Sequence, residues 1–306
     1  MSNFFLKLIK KIQIIKNILS NMQNFNIVVT FTCLWLAVYL PPVIEGYVAC
    51  FFIFSVGLLH GANDIKIIKK VYKKYNLSFY KSLLLYILIV IIGTVMFYFI
   101  PFVTLIFFIL ISGYHFGEQH FHDIEYKNHF IKRILFFSYG CVVIFLLLFS
   151  NNIESTNVVN QITKVELYPN FFKYGLVTSL LVFGVCLAVI WRYIKNLHLE
   201  LFYLLVFFIV FKTASLIWAF AIYFVLWHAL PSLMDQIRYL SKTVNRVSIL
   251  DYIKSSFVYW LISVLSLFLF FEFFIGNNDL FYGFFFSFLA AITFPHVIVM
   301  TKIFKH

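Results

Sequence analysis

The chain is dominated by apolar runs long enough to cross a lipid bilayer. Between Leu83 and Ile100 there is no charged residue, and about 20 such residues in a helix span the hydrocarbon. Inside lipid the backbone must bond to itself, which leaves helices or a closed barrel. The runs are continuous rather than alternating, and that selects helices. Over 306 residues the chain is 63% hydrophobic and only 12% charged, which fits no soluble domain. The expected fold class is therefore all-α, a polytopic transmembrane helical bundle of about eight to ten spans.

Ten candidate spans lie at 25–40, 43–60, 82–100, 102–119, 134–150, 174–191, 200–212, 214–230, 256–275 and 281–300. Pro41-Pro42, Pro101 and Asn277-Asn278-Asp279 punctuate the turns between them, and 151–172 reads as the longest polar loop. With the amino terminus cytoplasmic, all of the 24 Lys and Arg except Lys164, Lys173 and Lys212 fall on the cytoplasmic side, as the positive-inside rule requires. Fusing 200–230 into one span would put Arg238, Lys242, Arg246 and Lys254 outside, so the charge bias favours a break at Lys212-Thr213. The expected location is the cell (inner) membrane, multi-pass, with both termini cytoplasmic.

Residues 1–24 mix Lys7, Lys10, Lys11 and Lys16 with Phe4, Leu8, Ile12, Ile15 and Leu19. They read as an interfacial amphipathic segment rather than a cleaved signal. Residues 25–306 read as a single bundle without internal repeat. The net charge of +12 sits in short loops between spans, so the partner it implies is lipid and not nucleic acid. Cys33, Cys50, Cys141 and Cys186 lie in or beside apolar runs without CxxC spacing and read as small packing residues.

Ionisable side chains inside a membrane are costly and mark functional sites. Four histidines stand in short polar knots: His60 in GLLHGAND, His115 in SGYHFGEQ, His228 in VLWHALPS and His296 in TFPHVIVM. The topology places all four on helices running outside to inside, at similar depth near the cytoplasmic face. Taken singly, each has a plainer reading: His60 facing headgroups, His296 bonded to a backbone carbonyl. Together they point to a shared metal, and imidazole suits Fe, Zn and Cu. Asp64, one turn after His60, is placed to accept that ring's second N–H. Glu118 and Gln119 follow His115 by three and four residues, share its face and offer the same support. Pro231 and Pro295 interrupt backbone bonding beside His228 and His296. His120, His122 and His129 read as loop residues, with His122 returning to the face of His115. His198 and His306 read as interfacial, and Trp227 as a belt residue.

The knots resemble the Brp/Blh family of bacterial and archaeal β-carotene 15,15′-dioxygenases. That family's G-x-x-H-G-A-x-D knot is Gly57 to Asp64 here, and its S-x-x-H-F-G segment is Ser112 to Gly117. A histidine on a later helix is His228, and a P-H pair near the end is Pro295-His296. The first two motifs are specific and the last two are short; the resemblance spans residues 50–300. It implies an integral-membrane enzyme that cleaves the central double bond of β-carotene with O2 into two retinal. It further implies Fe(II) held by His60, His115 and His228, and a retinal-using opsin downstream. The sequence departs from the family pattern at three points. Ser232 stands where a second histidine follows the third by one turn, which leaves either His296 as fourth ligand or a site of three. Asn63 replaces an apolar residue, and His120 an acidic one.

The residues alone leave other readings open. A di-iron desaturase or hydroxylase also gathers histidines at the cytoplasmic face, but through HxxxH and HxxHH boxes that the nine histidines here do not form. A bis-histidine haem protein needs facing pairs of rings. A proton-coupled transporter would spread histidines over several depths, and the opposite face offers little beyond Glu45, Lys212 and Glu272. A metal near one face also predicts a substrate tunnel bent or tilted within the inner leaflet.

Overall fold

Proline opens two of the hairpins. Pro42 lies in the first turn of helix α2 (Pro42–Gly57), directly after α1 (Asn24–Tyr39). Pro101 does the same for α5 (Pro101–Phe121) after α4 (Phe79–Phe99). A proline there forfeits nothing, because the first N–H groups of a helix have no partner inside it. The computed structural model describes residues 24–74, 78–274 and 281–304, and among them are twelve helices and no strand. The others are α3 (Asp64–Lys74), α6 (His129–Ser150), α7 (Asn152–Thr163), α8 (Phe171–Ile190), α9 (Leu197–Thr213), α10 (Leu216–Ser241), α11 (Arg246–Phe274) and α12 (Phe281–Phe304). Six of them (α4, α5, α6, α8, α10 and α11) are long and apolar enough to cross a membrane, and α1, α2 and α12 carry shorter apolar stretches. The outer faces of α4, α8 and α11 expose Ile91, Leu181, Val185 and Phe268, as lipid-facing helices do.

Each of the ten candidate spans falls on a helix. The expected break near Lys212-Thr213 occurs at Ala214-Ser215, where the backbone becomes extended. The stretch 151–172, expected as a loop, is not simply one, because it contains α7. Its Ser155, Val158, Val159 and Ile162 share one face, and α7 packs on α5, α6 and α12. The polar residues of NIESTNVVNQIT dilute that stripe below what average polarity reveals. Residues 1–23 of the amphipathic segment, the Asn277-Asn278-Asp279 turn, His306 and the side chain of Glu272 lie outside the described residues.

Contact between α5 and α6 is the closest in the bundle. A Cβ on Gly117 would stand 1.8 Å from the Phe136 carbonyl oxygen, and one on Gly140 1.8 Å from that of Gly113. Gly113 and Gly117 are four apart on one face, so the two backbones touch. In lipid, such close packing is what holds helices together. His115 sits between these glycines and inherits a fixed height and rotation.

Helix α10 is the buried axis. Its amino-terminal N–H groups are met by two carboxylates: Glu45 of α2 accepts from Ser215, and Glu154 of α7 accepts from Leu216 at 2.8 Å. Negative charge at a helix amino terminus is stabilising. At the other end, Lys70 of α3 donates to the carbonyls of Tyr239 and Leu240, a cation at the negative end of the dipole. Trp227 is not a belt residue; it is buried and donates to Thr30 of α1 at 2.9 Å. Helix α3 is amphipathic. Ile67, Ile68 and Val71 bury against Val299, Met300 and Ile303 of α12, while Lys66, Lys69 and Lys73 are exposed.

Candidate metal centre

Two stretches of π-helix prepare the site. Ile53–Gly57 ends α2 in this form, and Tyr223–Ala229 lies within α10. A π turn holds an extra residue and re-aims the side chains after it; such turns are rare and gather at functional sites. The two stretches pack on each other. His60 lies three residues past the first, and His228 lies inside the second, stacked on Phe224. Neither π turn leaves a mark in the apolar pattern.

The imidazoles of His60, His228, His115 and His296 form a closed circuit. Neighbouring ring centroids are 5.2, 4.9, 5.4 and 4.7 Å apart in that order around the ring, and neighbouring planes meet at 79° to 88°. One nitrogen each of His60, His228 and His296 lies within 4.8 Å of the others, and His115 closes the fourth side. All four rings are buried.

The partners of two rings set their tautomers. His296 Nδ1 donates to the Asp64 carboxylate, 3.0 Å from both oxygens, and His60 Nδ1 donates to the Gly57 carbonyl. Carbonyl and carboxylate oxygens accept, so each Nδ1 carries its hydrogen, and in the neutral ring the lone pair is then on Nε2. Asp64 is held in turn by the Tyr86 hydroxyl at 3.2 Å. His296 Nε2, His228 Nδ1 and both nitrogens of His115 are buried without a hydrogen-bond partner among the described residues. An unsatisfied buried polar atom costs roughly 1–3 kcal/mol, so four in one place need an explanation. A cation receiving one lone pair from each of these three rings accounts for three of the four, and an all-imidazole donor set fits iron, zinc or copper.

The supporting residues differ from expectation. Asp64 serves His296 rather than His60. After Leu58 the chain folds into successive turns (Gly61 N–H to Leu58, Ala62 N–H to Leu59) instead of continuing the helix, so a spacing of four no longer means one face. Glu118 accepts from the Tyr114 hydroxyl at 3.2 Å, and Gln119 donates to the backbone carbonyl of His228 at 3.1 Å. Neither reaches the His115 ring, because nearer partners take both side chains. Gln119 still bears on the site by tying α5 to the π stretch of α10. A residue that sequence reasoning missed, Gln236, holds the His60 carbonyl at 2.7 Å, with the Tyr252 hydroxyl at 3.3 Å.

His120 is not a loop residue. Helix α5 runs on past its apolar stretch, and His120 Nδ1 pairs with Glu200 of α9 at 2.9 Å. The Tyr139 hydroxyl donates to the same carboxylate at 3.1 Å. His122 caps α5 beside Asp123 at 3.1 Å. Burial lowers its proton affinity, but the hydrogen bond and charge of Asp123 outweigh that and raise the pKa above its ordinary value. His129 and His198 are exposed.

The four rings stand at one end of an apolar cavity of about 310 Å³. Its wall runs back along α5 to Leu105 and along α10 to Leu216, and α7 closes it with Val158, Val159 and Ile162. Leu105 is ten residues before His115 and Leu216 twelve before His228; at 1.5 Å per helical residue the cavity extends roughly 15–18 Å from the rings. It therefore follows the bundle axis away from the histidines rather than bending within their end of the bundle.

A family model described as Beta-carotene 15,15'-dioxygenase matches residues 51–304. The chain belongs to this family. No curated protein and no solved structure matches it. The matched stretch includes all four histidines, both π turns and every residue that lines the cavity. The three departures from the dioxygenase pattern each have a partner in this chain. Asn63 donates to the Tyr252 carbonyl and accepts from Ser255, both on α11. His120 has Glu200 and Tyr139. Ser232 is fully buried and accepts from Gln236 at 3.3 Å, the same amide that holds His60. The place of a histidine one turn after His228 is thus taken by a bond that steadies the first histidine.

Proposed function

We propose that this protein cleaves the central 15,15′ double bond of β-carotene with O2, giving two retinal, at an Fe(II) held by His60, His115, His228 and His296. The observation that carries the reading is the circuit of four buried rings, with orphaned nitrogens, at the end of a long apolar cavity. Iron, when bound, supplies the redox chemistry that lets O2 react with an alkene. The protein supplies geometry and dryness. Asp64 and Gly57 keep two rings in the tautomer that presents Nε2. Gly113 and Gly117 seat α5 so that His115 meets the others, and Phe116 and Phe224 pack on the His228 ring. One C=C is lost and two C=O are formed. The Ser112 and Tyr223 hydroxyls border the cavity without partners among the described residues and offer hydrogen bonds to the new carbonyl oxygens. The charge bias puts the histidines and both termini on the cytoplasmic side of the cell membrane. A retinal-binding opsin would consume the product.

The geometry disfavours two of the rival readings. Perpendicular rings about 5 Å apart leave no slot for a porphyrin between facing pairs. A di-iron site needs more histidines at the same place, whereas His120, His122, His129 and His198 stand outside the circuit. Expression in a host that accumulates β-carotene tests the proposal: colour should fade as retinal appears. His60→Ala and His115→Ala should keep the colour with the protein still in the membrane. Colour retained by well-expressed wild-type protein, with iron supplied, contradicts it.

A further inference from the structure

The cavity wall is not buried all the way round. On α11, Tyr259, Ile262 and Ser263 line it. They lie at i, i+3 and i+4, one stripe of a helix. Yet Ile262 is 57% exposed and Tyr259 36%, so the same stripe meets both the cavity and the outer, lipid-facing surface. On α12 the lining residues Leu289, Ile292, Thr293 and His296 form a second stripe, at i, i+3, i+4 and i+7. That stripe ends on a ring of the metal circuit. The two stripes line the same cavity, one partly exposed at the outer surface and the other ending at the candidate metal centre.

The anchoring of the two helices differs in a way that suits a gap between them. Helix α12 packs on α4, α5 and α7, tightly enough that a Cβ on Gly93 of α4 would stand 2.9 Å from Phe294. Helix α11 is tied down in its first half. Tyr252 bonds Gln236 and the His60 carbonyl, Ser255 bonds Asn63, and Trp260 donates to the Phe54 carbonyl at 2.6 Å. All these ties lie on α2, the turn after it, or α10. Beyond Trp260 the side chains of Leu261, Ile262, Leu265, Phe268 and Leu269 are largely exposed.

We propose that the cavity opens sideways into the bilayer between α11 and α12, and that an apolar, rod-shaped substrate enters there directly from lipid. This rests on the carotenoid reading for the identity of the substrate, but not for the existence of the portal. An apolar polyene has no favourable route through water, and a lateral opening avoids one. Ser263 sits on the portal stripe, and its hydroxyl back-bonds to the Tyr259 carbonyl, so it can be replaced without unpairing a neighbour's side chain.

The test uses the full chain in native membranes, with Cys33, Cys50, Cys141 and Cys186 replaced by alanine and Ser263→Cys introduced. A membrane-partitioning maleimide should modify this variant, and added β-carotene should slow the modification at least severalfold. A second variant, Ile262→Trp, should lower β-carotene turnover at least tenfold while leaving bound iron unchanged. Modification at the same rate with and without β-carotene, together with full turnover by Ile262→Trp, overturns the portal. If wild-type membranes make no retinal but β-carotene still protects the introduced thiol, the portal stands and the cleavage reading fails.

Discussion

Replacing Asp64 tests how the site would hold the proposed iron. Asp64 accepts from His296 Nδ1 at 3.0 Å and from Tyr86 at 3.2 Å, so it fixes both the tautomer and the direction of the ring. Loss of such a support typically lowers metal affinity 10- to 100-fold, which is about 1.4–2.8 kcal/mol at 1.4 kcal/mol per decade. Asp64→Asn keeps one acceptor oxygen, and its Nδ1 bond to His296 can survive, so the loss should fall near tenfold. Asp64→Ala removes both acceptors and frees His296 to turn, so the loss should approach a hundredfold. The assay is iron retained by purified protein against graded ferrous chelator. The thermal midpoint of the metal-free protein separates a folding defect from a binding defect. Wild-type iron affinity in Asp64→Ala would show that His296 is not oriented by Asp64, or is not a ligand.

Further perturbations separate the parts of the site. Gly117→Ala places a methyl 1.8 Å from the Phe136 carbonyl; α5 must lift from α6 at a cost of about 1–3 kcal/mol, and both thermal midpoint and iron content should fall. Glu200→Gln weakens the hydrogen bonds that His120 and Tyr139 make to the largely buried Glu200 carboxylate; stability should drop by about 1–2 kcal/mol with iron content unchanged, measured by denaturation and metal analysis. Ser232→His introduces a further imidazole at a fully buried position already bonded to Gln236. It should destabilise the protein without raising activity; higher turnover in a retinal assay would mean that His296 is not the fourth ligand.

The membrane architecture could be read from the chain because bilayer thickness and backbone bonding act on composition alone. The Ala214-Ser215 break followed from charge bias even though α9, on one side of it, is short. The four histidines were visible because an ionisable residue at the end of an apolar run stands out against its surroundings. Their supports were not. Pairing Asp64 with His60 assumed a helix where the chain turns, and no local spacing reveals a bond across 232 positions to His296. Glu118 and Gln119 have the right spacing for His115, yet Tyr114 and the His228 carbonyl are closer. The π turns beside His60 and around His228 pack on each other across the chain, and nothing in the local pattern marks them. Helix α7 hid in a polar stretch because only one face of it meets the cavity.

The most direct test of the account is made on purified protein stripped of metal and reloaded with Fe(II), then supplied with β-carotene and O2. The account predicts two retinal per β-carotene consumed, only after iron is restored, and almost none from His296→Ala loaded in the same way. Absence of retinal from the iron-loaded wild-type protein, or equal yields with and without iron, would contradict it.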